Sequence, residues 1–184
     1  MKAGPILETV LYAEDLAAAR TFYESLLGLN VAAALPGRFV FFRHGQQMLL
    51  VFNPKATLAQ AGENTPPAHG ASGPGHVCFR ADAEELLGWR TLFAKLGIAI
   101  DGDMEWPGGG RSLYIRDPAG NSVEFAEPRI WGLAEMPTLR NRKIVNATHN
   151  KGQLEEFAQL LTPYGVETVS AGQLGLADPE ENAR

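Results

Sequence analysis

The sequence predicts an α+β fold made of two tandem βαβββ modules that form a curled mixed sheet, followed by a short β-α-β fragment. Three observations carry this expectation. Residues 37–54 (GRFVFFRHGQQMLLVFNP) and 110–128 (GRSLYIRDPAGNSVEFAEP) repeat one pattern: Gly-Arg, an alternating apolar strand to an arginine, a glycine turn, and a second strand to a proline. Upstream of each copy lies a strand and then a helix with an Asp cap and a Gly stop. Between the copies, residues 54–74 form a polar Gly/Pro-rich linker.

In chain order, residues 6–13 (ILETVLYA) read as a strand, and Asp15 caps an apolar-periodic helix that ends at Gly28. A further short strand is expected at 29–33. Residues 75–81 (GHVCFRA) are the matching strand of the second module. Its helix starts after Asp82 and stops at Gly97, and its next strand is expected at 98–101. The turn Asp117-Pro118-Ala119-Gly120-Asn121 separates the last two strands. Neither module could bury a sheet face alone, so the two must pair.

At 184 residues with a net charge of -5, the chain has no basic block suited to nucleic acid or a membrane surface. No apolar run approaches the length of a membrane span, and residues 1–10 lack a secretory layout. Cys78 is the one cysteine. A reduced, cytoplasmic protein is therefore expected.

Alternation along strands selects the candidate site. With Val123 and Phe125 facing the helices, Ser122, Glu124 and Ala126 face the opposite side. With Val77 and Phe79 on the helix side, His76, Cys78 and Arg80 share that opposite side. A carboxylate in so apolar a strand is costly unless a cation or donor compensates it, which singles out Glu124. Matching the strand ETVLYA (8–13) to HVCFRA (76–81), with one more residue before Asp15 than before Asp82, puts Glu8 on His76, and counting back from Pro54 and Pro128 puts Leu50 on Glu124. Taken singly, a histidine after Gly-Pro-Gly is ordinarily a turn residue and a strand glutamate points to water. Here Glu8, His76 and Glu124 occupy symmetry-related, inward positions, with Leu50 apolar at the fourth. Two carboxylates and one imidazole suit Mn²⁺, Fe²⁺, Ni²⁺ or, less typically, Zn²⁺.

These residues resemble the vicinal-oxygen-chelate superfamily: glyoxalase I, fosfomycin-resistance transferases, bleomycin-resistance proteins and extradiol dioxygenases. The likeness rests on residues 8–16 (ETVLYAEDL), Phe22-Tyr23, Leu27-Gly28, Gly75–Phe79, and the Asp-Pro-Ala-Gly-Asn turn leading to Glu124. It spans nearly all of residues 5–128. In that family the first ligand is most often His, so Glu8 is a departure, and Leu50 is similar to three-ligand members rather than to glyoxalase I. The resemblance implies bidentate chelation of a small oxygenated substrate by a divalent metal acting as Lewis acid, in lyase, isomerase, transferase or dioxygenase chemistry. It also implies a homodimer, in which Glu8 could serve the His76 and Glu124 of a neighbour. A metal-free binding protein of the bleomycin-resistance type is the alternative.

By the same alternation the cup could include Tyr12, Phe39, Phe41, Met48 and Phe52, which could equally fill the core. Arg43, Arg80, Ser112, Tyr114 and Arg116 are the substrate-binding candidates, and Glu124 and Tyr114 the catalytic ones. Such walls would suit a small anionic or aromatic substrate. Residues 106–110 (WPGGG) could form a rim loop or simply a tight turn.

Residues 129–141 read as a connector. Residues 142–184 then begin a strand, a polar turn, a helix over 152–165 and a strand at 166–170. This segment resembles the start of the inosine triphosphate pyrophosphatase family, on residues 147–152 (ATHNKG) and 170–181 (SAGQLGLADPEE). The resemblance makes Thr148 and Asn150 vestigial phosphate contacts, while Gln153 stands where that family has lysine. The expected organisation is a glyoxalase-like domain over 1–128, a linker over 129–141, and a fused, truncated pyrophosphatase-like fragment over 142–184 without activity of its own.

Overall fold

Strand β1 (Glu8–Tyr12) runs into helix α1 (Leu16–Arg20), whose N-cap Asp15 accepts the backbone N–H groups of Ala17 and Ala18. The computed structural model describes residues 2–58, 65–134, 143–146 and 167–170, together with helical positions 152, 155, 156, 158 and 159. The chain divides into two compact units, Met1–Glu135 and Met136–Arg184.

Beyond Arg20 the first helix widens into a π-helical stretch over Thr21–Leu26, and the Leu27 N–H bonds the Phe22 carbonyl at 3.2 Å. Gly28, at φ 71, reverses the chain into β2 (Asn30–Leu35). Strands β3 (Phe39–His44) and β4 (Gln47–Phe52) complete the first module. Its sheet has the order β1-β4-β3-β2, with β1 parallel to β4 and the other pairs antiparallel.

The second module repeats this plan. Strand β5 (His76–Arg80) precedes helix α3 (Ala83–Leu96), which starts with a capping box between Asp82 and Glu85 and ends on left-handed Gly97. Strands β6 (Gly102–Glu105), β7 (Arg111–Arg116) and β8 (Ser122–Ala126) follow, in the order β5-β8-β7-β6. The eight strands thus form two four-stranded mixed sheets, one per module.

Two expectations need correction. Residues 98–101 are not a strand: Ile98 and Ile100 pack against the core, and pairing starts only at Gly102. Within the linker, α2 (Pro54–Thr57) forms one helical turn, with Asn53 accepting the Lys55 N–H and Pro54 in the first turn.

The core lies on the helix side of both sheets, where Leu11, Tyr23, Phe42, Phe93, Ile115, Val123 and Phe125 join one buried cluster. Val123 and Phe125 are both in it, as the alternation required. Residues 106–110 make a tight turn, closed by Trp106 N–H to the Gly110 carbonyl and Gly109 N–H to the Trp106 carbonyl. Pro128–Trp131 is a 3₁₀ turn.

In the second unit, β9 (Lys143–Asn146) and β10 (Glu167–Ser170) pair in parallel, in register from Lys143↔Glu167 to Asn146↔Ser170. Thr148 and Asn150 lie outside the described residues. Among the described residues no helix is long and apolar enough to cross a membrane.

Candidate functional site

The face of each sheet away from the helices is ordered by its ladder into cross-strand rows. In the second module the rows are His76–Ser122–Arg116, Cys78–Glu124–Tyr114 and Arg80–Ala126–Ser112. In the first they are Glu8–Met48–Arg43, Val10–Leu50–Phe41 and Tyr12–Phe52–Phe39. Glu8 therefore stands where His76 stands, and Leu50 where Glu124 stands, as the sequence superposition placed them.

Glu124 is 6% exposed in the middle of β8. The Tyr114 hydroxyl donates to its Oε1 at 2.7 Å, and His76 Nε2 lies 3.2 Å from its Oε2. His76 itself is half exposed. The carboxylate is thus held between a phenol and an imidazole, which offsets the cost of its burial. Burial, reinforced by Glu124, pushes both the Cys78 thiol and the Tyr114 phenol up to about 12. Both stay protonated at neutral pH, so Tyr114 is a proton donor to the carboxylate and Cys78 is not a ready nucleophile.

His76 and Glu124 meet, but Glu8 does not join them: among the described residues no three acidic, histidine or cysteine side chains converge on a common point. The donor pair still fits a divalent ion. Two ligands about 2.1 Å from one ion are about 3.0 Å apart at a right angle and about 3.4 Å at a tetrahedral angle. The observed 3.2 Å lies between these limits.

The other candidates are placed differently. Ser112 is fully buried and bonded to Trp106 Nε1–H at 2.8 Å. Arg116 is held by Asp101 at 2.6 Å and donates to the Gly120 carbonyl. Arg80 donates to the Ala134 carbonyl. Arg43 is exposed at the end of β3.

A set of buried residues that sequence reasoning took only for a turn supports this site. Asp117 Oδ1 accepts the N–H groups of Ala119 and Asn121, and its Oδ2 accepts the Tyr23 hydroxyl and Asn121 Nδ2–H. Asn121 also donates to the Tyr12 carbonyl, and its Oδ1 accepts the Gly75 N–H at 2.7 Å. Gly75 immediately precedes His76, and Asn121 immediately precedes the strand of Glu124. One asparagine therefore fixes the starts of both β5 and β8, the strands of His76 and Glu124. The asparagine itself was visible in the turn motif, but its partners 46 and 109 residues away were not.

The family model for the Glyoxalase/Bleomycin resistance protein/Dioxygenase superfamily matches residues 6–125. The chain belongs to this superfamily. It is 47% identical to a crystal structure of lactoylglutathione lyase from Agrobacterium tumefaciens, over 72% of this chain and 100% of that one, with a TM-score of 0.70. An integron cassette protein from the mobile metagenome of V. Cholerae is 25% identical over 70% of this chain and 98% of its own, with a TM-score of 0.52. Superfamily membership and the row pattern agree on two equivalent modules.

The C-terminal part is similar to something else. Over 39 residues it is 62% identical to dITP/XTP pyrophosphatase from Rhodopseudomonas palustris, which is 21% of this chain and 19% of that protein. The chain spans about a fifth of the length of the curated relatives it matches there.

Proposed function

We propose that this superfamily member is a divalent-metal-dependent enzyme acting on a small oxygenated substrate. The observation that carries the reading is the buried Glu124 carboxylate, set 3.2 Å from His76 Nε2 and 2.7 Å from the Tyr114 hydroxyl. His76 and Glu124 would hold the ion, and Glu8 from a second copy of the chain would complete the ligand set. Leu50, at the fourth position, leaves room for water or substrate. When bound, Mn²⁺, Fe²⁺, Ni²⁺ or Zn²⁺ would supply Lewis-acid polarisation of a substrate oxygen.

The chain's own groups account for the rest of the chemistry. Tyr114, protonated at neutral pH, keeps its own proton and donates it in a hydrogen bond to Glu124 Oε1. It can pass that proton toward an oxygen that gains charge beside it. Trp106, bonded to Ser112, fixes the 106–110 turn one row away from this pair.

The relative named lactoylglutathione lyase makes lactoylglutathione the first compound to assay. The second reading is a metal-free binding protein, and it is favoured by the meeting of two rather than three metal-competent groups within the described part of one chain. Metal analysis of the purified protein, with calorimetric titration of Mn²⁺ and Ni²⁺, separates the two. Stoichiometric binding that Glu124→Gln weakens at least tenfold supports the enzyme. No binding, or binding indifferent to Glu124→Gln, leaves the binding protein.

A further inference from the structure

The last part of the linker between the modules is tied twice to one residue, Tyr12, through its side chain and through its backbone. At one end, the Tyr12 hydroxyl and His69 Nδ1 share a hydrogen bond of 2.8 Å. At the other, the Gly75 N–H donates to Asn121 Oδ1 at 2.7 Å, and Asn121 Nδ2–H donates to the Tyr12 carbonyl. Between these ties residues 70–74 are exposed, and among the described residues no hydrogen bond holds them. Residues 69–75 are thus a strap with both ends fastened and a free middle.

The two fastenings differ in what backs them. At Gly75 the partner Asn121 is buried, and the Gly75 carbonyl accepts the Ser122 N–H at 2.9 Å. A Cβ at Gly75 would lie 2.9 Å from the side chain of Leu11, which is 2% exposed and belongs to the core cluster. At the other end the His69 ring is half-buried, edge-on to Phe52 at 4.7 Å, and its N–H donates to the Thr57 carbonyl at 3.0 Å. A Cβ at Gly70 would lie 2.8 Å from the side chain of Leu58, but Leu58 is 62% exposed. A close-packed core does not give way, whereas a surface leucine can turn into water. Opening therefore costs less at His69 than at Gly75.

The strap walls a cavity of about 850 Å³. Residues 70–74 form one side, Tyr12 and Leu58 belong to its lining, and Pro118 and Ala119 of the second module's turn contribute as well. A cavity of this size accommodates a small molecule. We infer that residues 69–75 are a gate to this cavity, latched at His69 and hinged at Gly75, which opens without displacing His76. Gly70 and left-handed Gly73, at φ 85, give the middle of the strap its backbone freedom. Opening releases the Tyr12 hydroxyl and uncovers the edge of Phe52, while Asn121 keeps Gly75, and with it the start of β5, in place. The gate is independent of the metal-dependent reading, since neither fastening involves Glu124.

The test is amide hydrogen exchange on the full chain, followed residue by residue by NMR. In the native protein the His69 N–H is expected to exchange faster than the Gly75 N–H, and at a rate that low urea does not change, as local opening requires. Tyr12→Phe removes the latch bond and keeps the ring. It should speed exchange at His69 about threefold to tenfold, the equivalent of one hydrogen bond, and leave the Gly75 and Ser122 amides within about twofold of native. His69→Ala, which also takes the ring off Phe52, should speed exchange at position 69 at least as much. Thermal melts confirm that each variant is folded at the temperature of measurement. A native His69 amide that exchanges only by global unfolding overturns the gate, as does a rate at position 69 that neither substitution changes. Equal acceleration at positions 69 and 75 overturns it too, because the strap would then come away whole, without a hinge.

Discussion

The Tyr23 hydroxyl, fully buried in the widened part of the first helix, donates to Asp117 Oδ2 at 2.9 Å across 94 residues of sequence. It ties the helix of one module to the turn that launches β8 in the other. Burial and the neighbouring Asp117 drive the phenol's ionisation far above its ordinary range, so it remains a donor at any pH at which the fold survives. Tyr23→Phe removes one charge-assisted bond from a carboxylate that keeps three other donors. It is expected to cost about 1.5–3 kcal/mol in urea denaturation with no change in the slope. A loss below half a kcal/mol would show that this bond does not join the modules.

Asn121 links this set to the candidate metal centre. Its side chain reaches Gly75, Asp117 and the Tyr12 carbonyl, and it is 1% exposed. Asn121→Ala leaves those partners unpaired and frees the starts of β5 and β8 to separate. If His76 and Glu124 act together on an ion, Mn²⁺ affinity should fall at least tenfold, measured well below the melting temperature. Asn121→Asp keeps the size but removes the side-chain donor, and should be intermediate. Equal manganese affinity in all three proteins would make the asparagine purely a stability residue.

Tyr114 predicts an alkaline response in the metal-free protein. Its phenol is pushed up to about 12 from an ordinary value of 10.0, first by burial and then by the bond to Glu124. The folded chain therefore keeps a proton that the unfolded chain releases above about pH 10. This contribution to stability is whole below pH 10 and is lost as pH rises through about 12. Phenolate absorbance should show no Tyr114 signal at pH 10. Tyr114→Phe should lose amplitude only near pH 12, and its stability should decline less steeply between those limits. Loss of amplitude near pH 10 instead would mean that the phenol is not held by Glu124.

Much of this was legible because the chain repeats itself. Strand alternation put Val123 and Phe125 in the core and Glu124 opposite them, and the repeat then aligned Glu8 with His76 without reference to any other protein. The helix caps at Asp15 and Asp82 and the stop at Gly97 depend on residues one turn apart, so local sequence was sufficient for them. Where partners are distant, sequence failed. A strand was expected at 98–101, directly after the helix, yet Ile98 and Ile100 pack against the core. Pairing with β7 selects the polar stretch from Gly102 instead, where Asp103 is held by Arg90 and Arg111. The four arginine and serine candidates looked alike in sequence, and only their partners separate the engaged Arg80, Arg116 and Ser112 from Arg43. The turn at Asn53-Pro54 had a readable signal, an N-cap followed by proline, inside what was taken as linker.

Glu8 supplies the decisive test of how the ligand set is completed. It is exposed on β1 and stands in the row equivalent to His76, yet it does not converge with His76 and Glu124 among the described residues of one chain. If a second copy contributes it, Glu8→Ala and Glu124→Ala should each abolish high-affinity Mn²⁺ binding. In each homodimer both sites are then damaged by the same substitution. In a mixed dimer one site combines both lesions, and the other combines native Glu8 with native Glu124. Co-refolding the two variants in equal amounts should therefore restore high-affinity sites to about a quarter of the number found in the native protein, since half of the dimers are mixed and each has one intact site. Calorimetric stoichiometry reads this directly. Restoration absent from the mixture, with a dimer confirmed by light scattering, would place all ligands within one chain and assign Glu8 to that chain's own site.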